Sequence, residues 1–171
     1  MNDVIDFAKI WKPRWCIERY EGPTDLVIAG LIEPYDVSEW EGNVALRVGK
    51  AELWNCLIGG SASHFDNTNA RLGVGDTAAP AAVDTQTDLQ APTNKLYKAC
   101  DSGYPQRAMT VWTNDTLVSK ATFATTEANY LWTEFVLKQN TSGICMNRVV
   151  SNQGTKTNAQ TWVLTLNIQW A

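Results

Sequence analysis

Trp162-Val-Leu-Thr-Leu-Asn-Ile-Gln-Trp170 alternates large apolar side chains at 162, 164, 166, 168 and 170 with Val163, Thr165, Asn167 and Gln169. Side chains that alternate in this way leave opposite faces of a pleated strand, so the stretch predicts a β-strand with one buried face, Trp162 and Trp170 included. Upstream, Leu131, Thr133, Phe135 and Leu137 alternate with Tyr130, Trp132, Glu134 and Val136. Both sets are bulky, which predicts a strand covered on both sides. A shorter alternation over 117–123 leads through Thr125-Thr-Glu-Ala128 into that strand, and Asn140-Thr-Ser-Gly143 and Asn152-Gln-Gly-Thr155 have turn chemistry. The last 55 or so residues thus read as four short strands joined by turns.

Working outward to the N-terminal third, residues 15–20, 26–31 and 43–48 are strand candidates, punctuated by Gly22-Pro23, Pro34 and Gly42. Residues 50–58, stopped by Gly59-Gly60, are the best helix candidate. From 59 to 92 the chain is rich in Gly, Ser, Ala, Thr, Asn and Pro with little periodicity, so a long loop or arm is expected there. The fold class is therefore all-β: one antiparallel sandwich or jelly-roll-like barrel over 1–171, with one short helix.

Composition restricts the function classes. The chain has 171 residues, 44% of them apolar and 19% charged, enough for one domain to bury a core without disulfide or metal. Its net charge of -4 disfavours nucleic acid and anionic lipid as partners. No run reaches the roughly 18 apolar residues needed to cross a bilayer, and the acidic start lacks the flank of a secretion signal, so a chain folded in a reducing cytoplasm is expected. In that compartment the Asn114 and Asn140 glycosylation triplets carry little meaning. Cys16, Cys56, Cys100 and Cys145 stand far apart in sequence and read as small packed thiols rather than a zinc or redox pair.

Each catalytic pattern that can be drawn is incomplete. Leu72-Gly-Val-Gly-Asp-Thr77 lacks the Gly-Lys-Ser/Thr ending of a phosphate loop and the third glycine of a dinucleotide turn, and reads as a strand end turning into Asp76. His64, the one histidine, has Ser61, Ser63 and Asp66 beside it, but such close neighbours seldom form a triad. Asp66-Asn-Thr-Asn69 offers oxygen ligands without calcium-loop spacing, and an Asx turn explains the same residues. Glu127 with Glu134, or Glu39 with Glu41, can be posed as a glycosidase pair, yet solvated faces account for them. Trp11 and Trp15 flank Lys12-Pro13-Arg14 outside any clear pattern, which suggests a docking arm over 1–15.

A longer ordered pattern adds to this. Leu72-Gly-Val-Gly-Asp-Thr77 is followed by Gln86-Thr-Asp-Leu-Gln90, Thr93-Asn-Lys-Leu-Tyr-Lys98 and Asp101-Ser-Gly-Tyr-Pro105. Then come Thr122-Phe123, Glu127-Ala-Asn129, Trp132-Thr-Glu-Phe135, Met146-Asn-Arg148, Gly154-Thr-Lys-Thr157 and Gln160-Thr-Trp162. The series, over roughly residues 40–171, resembles a family of small virion proteins encoded by tailed bacteriophages. The resemblance implies a particle component: first a capsid decoration, or cement, protein binding between major capsid subunits, and second a tail, baseplate or fibre component; at a tail tip, exposed tryptophan and tyrosine side chains would stack on host saccharide. It carries over no catalytic residue and no cofactor, so a non-enzymatic protein is expected. Self-association as a trimer is implied as well. On this reading Trp11, Arg14 and Trp15 of the arm and Phe65, Asp76 and Leu89 of the long loop are the candidate subunit-interface residues.

Overall fold

In the computed structural model, which describes residues 11–60, 63–110 and 114–170, the chain runs through ten strands and two helices. In order these are β1 (Trp11–Glu21), α1 (Thr24–Ile28), β2 (Asp36–Glu41), β3 (Val44–Ala45), α2 (Arg47–Ile58), β4 (Ala70–Gly75), β5 (Lys95–Ala99), β6 (Gln106–Thr110), β7 (Asn114–Phe123), β8 (Glu134–Gln139), β9 (Cys145–Val150) and β10 (Gln160–Trp170). They form two five-stranded sheets, β2-β1-β10-β7-β6 and β3-β9-β8-β4-β5, antiparallel throughout. The fold is a β-sandwich, not a closed barrel.

The alternating stretch that predicts a one-faced strand is β10, at the centre of the first sheet between β1 and β7. Trp162, Leu164, Leu166 and Ile168 all point into the core. From β1, Trp15 and Ile17 join them, and Trp15 stacks on Trp40, its register partner on β2, with ring centroids 6.1 Å apart. Trp132 lies at the other end of the core, packed edge-to-face with Phe123 and with Trp162, both at 4.8 Å, while its indole N–H donates to Ala128 O at 2.9 Å. Edge-to-face packing matches the positive ring rim to the negative face, adding specificity to the large area each ring buries. Arg19 closes the margin, its guanidinium 4.7 Å above the Trp162 ring and bonded to Asp36, Ser38 and Gln153 O.

Four strands do follow residue 113, as the turn chemistry predicts. β8 is buried on both faces, with Phe135 and Leu137 inward and Glu134 and Val136 outward. The helix candidate is also present, begins earlier at Arg47, and ends on Gly59 in the left-handed conformation that glycine adopts without strain. Leu46 N–H donates to Met146 O, seating α2 against the edge of β9.

Four expectations are corrected. Residues 26–31 are not a strand: Pro23 starts a one-turn helix, and Ile28 and Leu31 stay exposed. Residues 43–48 contribute only β3 before α2 begins. The stretch 59–92 is not one long loop, because it contains β4, an inner strand between β5 and β8. Residues 11–15 of the supposed 1–15 arm are ladder residues of β1; residues 1–10 lie outside the described residues. Among the described residues no helix is long and apolar enough to cross a membrane.

Candidate functional site

The most concentrated chemistry lies on the outer face of the second sheet, where residues 76–94 cross as a strap between β4 and β5. Asp76 and Asn94 close its base: Asp76 N–H donates to Asn94 O at 3.2 Å and Asn94 Nδ2 to Asp76 Oδ2 at 2.7 Å. Under the strap, Glu134 of β8 and Arg148 of β9 are fully buried, with Nε 2.8 Å and Nη2 2.7 Å from Oε2. Glu134 also accepts the Gln90 N–H at 2.8 Å and the Ala91 N–H at 2.6 Å, and Arg148 Nη1 donates to Pro80 O and Gln86 Oε1, both at 3.0 Å. The ion pair therefore holds the strap at both ends of its crossing. A buried pair needs such extra bonds, since removing two charges from water costs more than their attraction returns unless the remaining polar sites are filled.

A second anchor is Asp88, which accepts from Lys138 Nζ at 2.6 Å and from the Tyr97 hydroxyl, with Cys145 Sγ at 3.4 Å. Burial works against the Asp88 charge, but the bonds from Lys138 and Tyr97 outweigh it and hold the carboxyl below its ordinary range. Burial, and then the Asp88 carboxylate, push the Tyr97 hydroxyl and the Cys145 thiol upward. Leu89 packs beneath with Leu46 and Val136 in a small second core.

The Gly73-Val-Gly75 run is explained here. Both glycines face outward from β4, and a Cβ on Gly73 would stand 2.7 Å from the Tyr97 ring and from Val136 Cγ2. On Gly75 it would meet Glu134 Oε1 at 2.5 Å and Ala91 Cβ at 3.1 Å. These residues make room for the anchors and cradle no phosphate.

The predicted interface residues are scattered. Trp15 and Leu89 are buried inside the chain and offer no surface to a neighbour. Trp11 and Phe65 are partly buried against the main core. Arg14 is exposed and pairs with Glu41 at 3.0 Å, and Asp76 serves the strap base. The aromatic and basic letters around Pro13 alternate in and out of one strand, so they do not form a common docking face.

The catalytic alternatives are not assembled either. Glu134 is committed to Arg148, and Glu127 to Lys98 at 2.6 Å. Glu39 and Glu41 are both exposed on β2, beside an open cleft of about 310 Å³, and Glu41 is paired with Arg14. A general acid at neutral pH needs a carboxyl shielded from water, which neither has. His64 is exposed, Ser61 lies outside the described residues, and Asp66 Oδ1 accepts from Asn69 N–H at 2.9 Å, a local turn bond to the residue three on rather than the two-residue bond of an Asx turn. Among the described residues no three His, Cys, Asp or Glu gather as metal ligands would. The cysteines are free thiols: Cys100 and Cys145 are buried, Cys16 and Cys56 half-buried, and burial pushes Cys100 up to about 12.

Sequence reasoning missed the Glu134–Arg148 pair and its strap. The available signal was a carboxylate and a lysine alternating with Val136 on a strand already predicted to be covered on both faces. Comparison with family models, curated proteins and solved structures gives no match.

Proposed function

We propose that the chain is a non-enzymatic structural component of a tailed-phage particle, a decoration protein that sits on the capsid and binds between major capsid subunits. What supports this reading is the work done by the residues that carry the resemblance. Gly73 and Gly75 admit the strap anchors, Asp88 and Glu134 hold the strap, and Trp132 and Phe135 fill the core. Asp101 accepts the Thr122 N–H and hydroxyl, and Lys156 binds Ala124 O and Asn129 Oδ1 beneath a surface turn. The residues that carry the resemblance thus hold the fold together rather than line an open reaction site.

Cryo-electron microscopy of the particle whose genome encodes the chain tests this. Density fitting the sandwich and repeated over the icosahedral shell is the expected result. Density confined to the tail would overturn the decoration role in favour of a tail or fibre role, and a particle without the chain would overturn both.

A further inference from the structure

Two apolar patches stand on the surface in different parts of the fold. On α2, Trp54, Leu57 and Ile58 are 62%, 74% and 76% exposed, at the spacing that places them on one helix face. Arg47 and Lys50 lie on the same face one to two turns earlier, while Glu52 is turned inward. The second patch runs from α1 into β2, where Ile28 and Leu31 are 74% and 70% exposed and Tyr35 and Val37 about half. From Glu21 to Glu41 the chain has acidic residues at 21, 25, 33, 36, 39 and 41 and no Lys or Arg. Exposed apolar side chains that group together mark binding surfaces more than scattered ones do; Lys120, which lines a cleft with Ile28, and Asp84, beside Arg47 and Lys50, are the opposite charges next to the two patches.

We infer that these two faces bind each other between copies of the chain: α2 of one copy lies against the 28–37 surface of the next, a head-to-tail contact. Charge selects this pairing. The 28–37 surface against itself would set its acidic side chains together, whereas the mixed contact brings Lys50, and Arg47 with its Asp84 partner, to an acidic rim. Some charge is neutralised within the chain: Asp84 pairs with Arg47 at 2.9 Å, Asp36 with Arg19 and Glu41 with Arg14. Among the described residues Glu21, Asp25, Glu33 and Glu39 have no ion-pair partner, and Lys50 has only a 3.9 Å contact to Asp84. Trp54 has the size and amphipathic ring of an interface anchor. A contact between different patches closes into a ring if its rotation allows and otherwise continues as a filament. The inference rests on reading the chain as an assembly protein, but it concerns the purified chain alone, so its failure leaves the shell-density test untouched.

Sedimentation velocity on the full chain and on Trp54→Asp and Leu31→Asp variants tests it, with near-ultraviolet circular dichroism to verify folding. The parent is expected to sediment as more than one chain, and each variant to weaken association at least about thirtyfold. Because each variant keeps one intact face, an equimolar mixture of the two is expected to form a one-to-one dimer and nothing larger. A parent that stays monomeric at the highest attainable concentration overturns the inference. Undiminished association in either folded variant, or a mixture that stays monomeric, overturns it too.

Discussion

Glu134 and Arg148 face each other diagonally across neighbouring strands: Val136 is the register partner of Arg148 and Val150 that of Glu134, yet the two charged groups meet at 2.7 Å with both side chains fully buried. The pair does more than join β8 to β9, because each member also holds the strap backbone. A segment that carries little hydrophobic pattern of its own is thereby fixed over a sheet face.

Removing one member strands the other. Glu134→Ala leaves a buried guanidinium without its anion and should cost about 3–5 kcal/mol in urea unfolding. Replacing both, as Glu134→Leu with Arg148→Met, should cost less than the two single changes summed. Amide exchange gives a local readout: protection at Gln90 and Ala91, whose N–H groups Glu134 accepts, should fall more than protection in β10. Simple additivity together with unchanged protection at 90 and 91 would show that the pair does not anchor the strap.

Gly73→Ala should be destabilising by about 1–3 kcal/mol, because the new methyl arrives 2.7 Å from both the Tyr97 ring and Val136, and one of them must shift to admit it. The same change at Gly103, where a Cβ meets nothing within 4 Å, controls for a glycine loss without a clash. Thermal melts of the two variants separate crowding from backbone strain, since Gly103 has φ of 85° and incurs only strain. Gly73→Ala melting with the parent would mean that β4 is not packed as closely as its neighbours require.

Legibility in the sequence followed the physics of periodicity. β10 was plain because every inward position from Trp162 to Ile168 is large and apolar. β4 was obscured because its outward positions are Arg71, Gly73 and Gly75, which present no alternation in bulk even though Ala70, Leu72 and Val74 face the core. Residues 15–20 of β1 were legible as a strand, but Trp11 to Arg14 showed no clear alternation and read as an arm; Pro13, which cannot donate to a ladder, sits where β1 pairs only with β10, one residue short of the β2 ladder that begins at Arg14. The strap anchors were invisible for another reason. Asp88 meets Lys138 fifty residues on and Glu134 meets Gln90 across forty-four, and a local window carries no record of such pairings.

Leu166→Asp tests the strand phase of β10. Leu166 is fully buried between Trp15 and Ser119 in register, so an aspartate there is an unpaired charge in the core and should cost about 4 kcal/mol or more, enough to unfold a marginal domain. Asn167→Asp, one residue along and half-buried on the other face beside Arg14, should stay within about 0.5 kcal/mol. Equal losses at the two positions would mean that the faces are not distinguished as the sandwich requires.

Acid should loosen the strap and the Thr125–Asn129 turn together. Burial opposes ionisation of Asp88 and of Glu127, but Lys138 and Tyr97 on the first, and Lys98 and the Ala124 N–H on the second, bring both carboxyls below their ordinary values. A carboxyl that ionises more readily folded than unfolded contributes stability in full above its unfolded value, about 3.9 for Asp and 4.3 for Glu, and loses it as pH falls through the lower folded value. Melting temperature should therefore decline below about pH 4. In Asp88→Asn the parent temperature at neutral pH is lower, because the Lys138 ammonium loses its counterion, and the decline into acid is shallower, because one of the protons that drives it has no site to bind. A variant whose acid decline is as steep as the parent's would show that Asp88 is no more acidic in the folded chain than in the unfolded one.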